Sequence, residues 1–335
     1  MSHIAVMGSG AWGTAIALSL AQRGGHRIAL QAHSEASAAV LRERGENAVF
    51  LPGFPLPKEI RVTADAAEAL EGAEIVVGVM PSQYVRHSFE RFAPYLHEDQ
   101  VLVSASKGIE DETGLRMTEV IASVLRARGL HLPVAALGGP SFAQEVAAGS
   151  PTAITVATPD MPLAVRLQRE FSSGTLRLYT NEDVIGVELG GALKNVIAIA
   201  AGVVTGLELG HNSMAALITR GVAEITRLAV ACGGRRETLA GLSGLGDLVL
   251  TCTGSLSRNR TVGIELGRGR RLPEILEGLH GKVAEGVRTT PAALGLARRH
   301  GVEMPIAEQM AAILHQGKSP VEAIRQLMQR PGRDE

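Results

Sequence analysis

The chain opens on an apolar run, His3-Ile4-Ala5-Val6-Met7, which gives way to glycines and then to a helical pattern, Thr14-Ala15-Ile16-Ala17-Leu18-Ser19-Leu20. The first half repeats this alternation. Apolar runs predict strands over 4–7, 27–30, 61–63, 75–79, 101–104 and 134–137, and helical spacing predicts helices over 13–23, 37–44, 65–70, 84–92 and 118–126. Runs such as Glu74-Ile75-Val76-Val77-Gly78-Val79-Met80 are continuously apolar rather than alternating. That is expected of a parallel sheet with helices on both faces. Two further strands, 154–157 and 176–179, would complete a doubly wound sheet.

Near Asn181 the strand signals fade. Helical patterns follow over 183–205, 213–232, 237–239, 261–268, 272–279, 290–300, 305–315 and 320–329, with Thr290-Pro291 and Ser319-Pro320 read as helix starts. The pattern thus predicts two domains. Residues 1–180 are expected to form an α/β doubly wound sheet, and residues 181–335 an all-α domain. The polar tail 330–335 is expected to fray. No internal repeat is evident.

Composition changes this picture little. The 335 residues are 45% hydrophobic and 20% charged, as in ordinary folded proteins. A net charge of −1 gives no general bias toward nucleic acid or anionic membrane. The longest apolar stretch, 184–206, is broken by Glu188 and Lys194 and reads as a buried core helix rather than a membrane span. With a strand entered at residue 3, no signal peptide is expected. Two cysteines, Cys232 and Cys252, are too few for a disulfide framework and suit a reducing cytoplasm.

The first chemical signal is Gly8-Ser9-Gly10-Ala11-Trp12-Gly13 between the first strand and the first helix. In a G-x-G-x-x-G turn the first glycine allows the tight turn, the second admits a pyrophosphate to the backbone, and the third lets helix and strand pack closely. The helix N-terminus then offers N–H groups to phosphate. At predicted strand ends lie Pro81-Ser82, Lys107-Gly108 and Gly138-Gly139-Pro140-Ser141, on the rim where open α/β sheets bind ligands.

In the helical half, spacing puts Val187, Gly190, Gly191, Lys194, Ile197, Ala198 and Ala201 on one helix face. Two mid-helix glycines cost about 1 kcal/mol each relative to alanine, a cost accepted where something must approach the backbone. Lys194 has no carboxylate three or four residues away and reads as a buried functional lysine. Gly241-Leu242-Ser243-Gly244-Leu245-Gly246-Asp247 could fix a carboxylate near it, or Asp247 could simply cap a helix. Ser257-Arg258-Asn259-Arg260, before another helix pattern, suits an anion.

With these residues in hand, the chain resembles the bacterial NAD(P)-dependent sn-glycerol-3-phosphate dehydrogenases over nearly its full length. The likeness rests on GSGAWGTA (8–15), LPG (51–53), SKG (106–108), GGPSFAQE (138–145), ELGGALKNVIAIAAG (188–202), GLSGLGDL (241–248), SRNR (257–260) and VAEGV (283–287). It implies a Rossmann domain followed by a helical domain, a 6-phosphogluconate dehydrogenase-like plan. The implied reaction is reversible reduction of dihydroxyacetone phosphate to sn-glycerol 3-phosphate, the glycerophospholipid backbone.

The resemblance makes Lys194 the acid/base and puts Asp247 in the substrate site. Ser257, Arg258 and Asn259 match the triose phosphate site, with Gly139 and Ser141 beside it. Lys107 matches a residue shared by cofactor and substrate. Gly8, Gly10, Ala11, Trp12, Gly13, His33, Ala143, Arg258, Val283 and Glu285 match cofactor contacts. One departure is Ala11, where the family usually has serine or asparagine. A hydroxyl is lost there, while the backbone N–H remains.

A lysine serving both reaction directions is expected to have its pKa pulled toward neutrality by burial and nearby cations. The expected cofactor is NADP(H), with NAD(H) as the alternative. The second strand ends Leu30-Gln31-Ala32-His33-Ser34 without an acid for the ribose, and the first acid, Glu35, comes late. His33 and Ser34 could take a 2′-phosphate, with Arg27 a poorer candidate. No metal, nucleic acid or stable membrane insertion is expected; on assembly the expectation goes no further than a homodimer. The Phe50–Pro57 segment reads as a proline-stiffened flap. Rival readings are a 3-hydroxyacid or 6-phosphogluconate dehydrogenase on the same plan, and a non-catalytic NADPH-binding redox sensor.

Overall fold

The structure is a computed structural model that describes residues 2–279 and 283–332. The chain folds into two compact units, Met1–Lys107 with Leu115–Glu188, and Gly108–Gly114 with Leu189–Glu335. The division falls at Glu188/Leu189 rather than near Asn181. One unbroken helix, α8 (Val184–Gly206), runs through it. Its first turn lays Val187 on Ala136 and Ala157 of the sheet unit. The segment 108–114 belongs with the helical unit, where Arg299 Nη1 donates to the Thr113 carbonyl at 2.9 Å.

The first unit contains strands β1 (Ser2–Met7), β2 (His26–Gln31), β3 (Glu46–Asn47), β4 (Leu51–Pro55), β5 (Ile60–Thr63), β6 (Ile75–Gly78), β7 (Val101–Ser104), β8 (Val134–Gly138), β9 (Thr152–Ala157) and β10 (Leu176–Asn181). Among them lie α1 (Ala11–Arg23), α2 (Glu35–Arg44), α3 (Ala66–Leu70), α4 (Val85–Phe92), α5 (Met117–Ala127), α6 (Ala143–Ala147) and α7 (Met161–Phe171). Eight strands form one sheet in the order β10-β9-β8-β7-β6-β1-β2-β5. The order reverses between β1 and β6, the point where such sheets bind ligands.

The continuous apolar runs have the expected cause. Within β1, Ile4 and Val6 face one buried cluster, with Ile16, Leu20 and Leu167, while Ala5 and Met7 face the other, with Phe89, Ile121 and Leu125. Neither face meets water, so no polar alternation is needed.

Two readings are refined in this unit. The sheet is not wholly parallel, because β8 and β9 run antiparallel. The chain leaving β8 makes only the short α6 and turns back at the same end, without the full crossover that parallel pairing needs. The flap is a small hairpin, since β3 and β4 pair antiparallel and Leu51 is buried. Helices α6 and α7 carry no expectation in the sequence reading; α7 is capped by Asp160, whose Oδ1 accepts the Leu163 N–H at 3.0 Å.

The second unit is helical: α8, α9 (Gly210–Ala231), α10 (Arg236–Ala240), a π turn (Leu242–Gly246), α11 (Asp247–Thr253), α12 (Arg258–Gly267), α13 (Leu272–Glu277), α14 (Glu285–Arg299), α15 (Pro305–Gln316) and α16 (Pro320–Met328). Helix α8 is long and apolar enough to cross a membrane by length and composition, yet 89% of its most apolar window is buried in the protein. Residues 333–335 of the tail lie outside the described residues.

Thr290-Pro291 is not a helix start. Helix α14 begins at Glu285 and holds Pro291 in its interior. Thr290 Oγ1 donates to the Gly286 carbonyl at 2.7 Å, adding a side-chain bond in the turn before the proline. Helices α8 and α12 cross backbone to backbone. A Cβ at Gly202 would stand 2.1 Å from the Arg260 carbonyl oxygen, and one at Gly263 would stand 1.9 Å from that of Ile199.

Glu224 of α9 caps α15 from outside. Its carboxylate accepts the N–H groups of Ile306 at 3.0 Å and Ala307 at 2.9 Å. Burial outweighs these donors and pushes its pKa up to about 7. The folded state therefore holds a proton that the unfolded chain gives up near its ordinary carboxylate pKa. This contribution to stability is full below that value and is lost as pH rises through about 7. Urea unfolding at pH 5.5 and pH 8 should give a larger drop in stability for the wild type than for Glu224→Gln; equal drops would refute the assignment.

Candidate active site

The glycine turn has the geometry its spacing implies. Gly8 leaves β1 at φ +120°, and a Cβ there would stand 2.1 Å from the Val79 carbonyl oxygen beyond β6. A Cβ at Gly13 would stand 1.9 Å from the Gly8 carbonyl oxygen. Gly10 differs, since nothing lies within 4 Å of its Cβ position. The first and third glycines thus close the turn on the protein, and the second leaves open space above the N-terminus of α1. No side chain caps α1. Its first turn, with Ala11, Trp12 and Gly13, retains N–H groups for an anion. These features fit a dinucleotide pyrophosphate.

A residue outside the sequence reading holds this turn. Asn47 of β3, buried, donates Nδ2 to the Ser9 carbonyl and to Thr14 Oγ1, both at 2.8 Å. Its position four residues before LPG was the available signal.

Past β2, His33 is exposed and Ser34 caps α2, its Oγ accepting the Ser37 N–H at 3.3 Å. Glu35 forms an ion pair with Arg42. Arg27 sits near the start of β2. Because β1 and β2 are parallel, that is the end away from the glycine turn. The structure thus sets Arg27 apart from His33 and Ser34.

Lys107, Gly139 and Ser141 do come together. Lys107 Nζ donates to the Gly139 carbonyl at 3.3 Å, and Ser141 Oγ donates to the same oxygen at 3.0 Å. Gly139 has φ +119°, and a Cβ would press on Ile154 Cα at 3.0 Å. Ala143 begins α6 just beyond.

In the helical unit Lys194 is buried, at 7% exposure, as is Asp247 at 0%. The Lys194 ammonium forms an ion pair and hydrogen bond with Asp247 Oδ1. It also donates to Thr251 Oγ1 at 2.9 Å. Asp247 is the first residue of α11 rather than its cap, and its side chain faces α8. The charge bonded to Lys194 is a carboxylate, the first of the two roles the 241–247 loop allowed for Asp247.

Thr251 was not among the expected residues. It lies one turn after Asp247 on α11 and donates to the Asp247 carbonyl at 2.6 Å, which turns a lone pair toward Lys194. The i, i+4 spacing was its only signal. The close approach expected at Gly190 also occurs, but the partner is protein. A Cβ there would stand 2.4 Å from the Ser243 carbonyl oxygen of the π turn. Gly190 thereby lets the turn that leads into Asp247 lie against α8.

The SRNR segment forms the start of α12. Ser257 caps it, its Oγ accepting the Arg260 N–H at 3.2 Å, so its hydroxyl proton remains for another acceptor. Arg258 is exposed. Asn259, buried, accepts the Gly286 N–H at 2.9 Å through Oδ1. Val283 and Glu285 lead into α14, and Glu285 Oε2 accepts from Asn195 Nδ2 at 3.5 Å. Cys252, next to Thr251, is free and buried, and burial pushes its thiol up to about 12. Among the described residues no group of three or more His, Cys, Asp and Glu side chains could hold a metal ion.

Comparison with known proteins agrees over both halves. Residues 3–164 match the model for the N-terminus of NAD-dependent glycerol-3-phosphate dehydrogenase, and residues 183–325 match that for its C-terminus. The glycerol-3-phosphate dehydrogenase [NAD(P)+] of Acidobacterium capsulatum is 68% identical, with 100% of both chains covered. That of Koribacter versatilis is 61% identical over 100% of this chain and 99% of its own. The crystal structure of glycerol-3-phosphate dehydrogenase from Coxiella burnetii superposes with a TM-score of 0.93 at 38% identity, covering 98% of this chain and 99% of that one. A ketopantoate reductase from Ralstonia eutropha, at 16% identity and a TM-score of 0.61, shares the fold.

Three measurements check this geometry. Gly10→Ala should melt within about 2 °C of wild type yet bind NADPH about tenfold more weakly, because its Cβ meets no protein atom, whereas Gly13→Ala should lose stability outright. Fluorescence titration and thermal melting separate the two. In a thiol titration, Cys252 should react only after unfolding; rapid native labelling at that residue would contradict its burial.

Proposed function

The chain belongs to the NAD-dependent glycerol-3-phosphate dehydrogenase family, and from this premise we propose that it reversibly reduces dihydroxyacetone phosphate to sn-glycerol 3-phosphate with NAD(P)H. The product is the backbone of glycerophospholipids. The observation that carries the proposal is Lys194, buried and held by Asp247 and Thr251 in the same helical unit as the anion-suited start of α12.

In the reducing direction the Lys194 ammonium hydrogen-bonds the ketone oxygen, polarises the carbonyl, and gives its proton to the alkoxide as the C–O double bond becomes single. In the oxidising direction neutral Lys194 takes the hydroxyl proton. A nicotinamide cofactor, when bound, would supply or accept the hydride. Asp247 and Thr251 aim the ammonium group. Arg258, the Ser257 hydroxyl and Asn259 hold the phosphate and so convert binding energy from a non-reacting group into carbonyl orientation. Lys107, Gly139 and Ser141 are further proposed substrate contacts, with Lys107 also meeting the cofactor.

Gly8, Gly10, Ala11, Trp12, Gly13, His33, Ala143, Arg258, Val283 and Glu285 are the proposed cofactor contacts. NADPH is the proposed preferred form. The exposed His33 and the engagement of Glu35 by Arg42 support that choice. The low count of two cysteines supports a cytoplasmic location. A homodimer is proposed on the two-domain plan alone, and sedimentation tests it.

The decisive experiment follows NADPH oxidation at 340 nm with dihydroxyacetone phosphate, beside NADH and beside unphosphorylated dihydroxyacetone. Rapid oxidation is expected only with the phosphorylated ketone. Lys194→Ala should lower kcat about a thousandfold while NADPH still binds. Turnover within about tenfold of wild type would remove Lys194 from the acid/base role.

A further inference from the structure

The carboxamide of Asn259 is fixed in one rotation. The Gly286 N–H, in the first turn of α14, lies 2.9 Å from its Oδ1. A backbone N–H can only donate, so the amide must turn its oxygen toward Gly286 and its NH2 group the other way. Among the described residues Nδ2 makes no hydrogen bond, and the residue is 8% exposed. Asn259 stands beside Arg258 in the first turn of α12.

Gly286 can reach Asn259 only because it has no side chain. A Cβ there would stand 2.6 Å from the Asn195 carbonyl oxygen and 2.8 Å from Ile199 Cδ1. The first turn of α14 therefore rests directly on α8 at the residue after Lys194. Glu285, one residue earlier, takes a hydrogen bond from the Asn195 side chain. One turn of backbone thus touches both the lysine helix and the amide at the start of α12.

We propose that Gly286 is a positioning residue for substrate phosphate, acting through Asn259. By occupying Oδ1 it presents Nδ2 as a donor, and it excludes the flipped amide, whose oxygen would face an anion. The proposal rests on the functional reading above. It predicts an effect on phosphate binding rather than on chemistry, because Gly286 touches the substrate only through Asn259.

The test is a double-mutant cycle in steady-state kinetics, with Gly286→Ala, Asn259→Ala and the double variant. Gly286→Ala should raise KM for dihydroxyacetone phosphate about tenfold, leaving kcat at saturation and the NADPH Kd within about twofold. In the Asn259→Ala background the same change should add less than about twofold. Fold-changes in KM that multiply instead would overturn the proposal. If Gly286→Ala does not fold, Asn259→Asp decides. It keeps the acceptor for Gly286 but turns an oxygen to the phosphate, so melting should match wild type while KM rises at least as far as in Asn259→Ala. A wild-type KM in Asn259→Asp would overturn the proposal. Absence of any wild-type turnover of dihydroxyacetone phosphate would instead overturn the functional reading, and the proposal with it.

Discussion

The buried ion pair between Lys194 and Asp247 is the constraint on which the helical unit is organised. Two charges out of water are costly, and attraction offsets that cost only with good geometry and further hydrogen bonds. Here Thr251 supplies one such bond and turns its own proton to the Asp247 backbone. The rest follows from bringing α11 to α8. Gly190 removes the side chain that would keep the π turn away, and that turn delivers Asp247 as the first residue of α11. Removing either charge would leave the other buried and unpaired, so the lysine and the aspartate act as one unit.

Backbone contact is the recurring means of placing groups in both units. The glycine turn after β1 closes on Val79 and on itself, leaving one open position at Gly10. In the helical unit, Gly202 and Gly263 let α8 and α12 touch, and Gly286 sets α14 on α8. These contacts fix helices at distances that side chains, with their rotamer freedom, would blur. The groups so fixed are among those proposed for the reaction: Lys194 on α8, Ser257 to Asn259 at the start of α12, and Glu285 at the start of α14.

Much of this was legible in the sequence. Continuous apolar runs marked the strands because both sheet faces are buried, and the glycine spacing marked the dinucleotide turn because each position has a distinct steric duty. The lysine-bearing helix was legible because one charge on so apolar a face needs a reason. Elements shaped by neighbours distant in sequence were less so. The antiparallel β9 depends on where the chain turns back after β8, which no local pattern encodes. Helix α14 runs through Pro291 because packing on α8 begins at Gly286, ahead of the local start signal.

The sequence alone determined the α/β-then-α order, the glycine turn and the residue types able to hold phosphate and move a proton, because these follow from periodicity and from short-range steric and chemical rules. Only the tertiary structure decided that Asp247 pairs with Lys194 rather than capping a helix, that Thr251 joins them, that Asn47 pins the glycine turn, and that Gly286 orients Asn259. Each of these is a hydrogen bond between groups brought together by packing. Local patterns report which side chains are available; which donor meets which acceptor is set by how closely two backbones can approach.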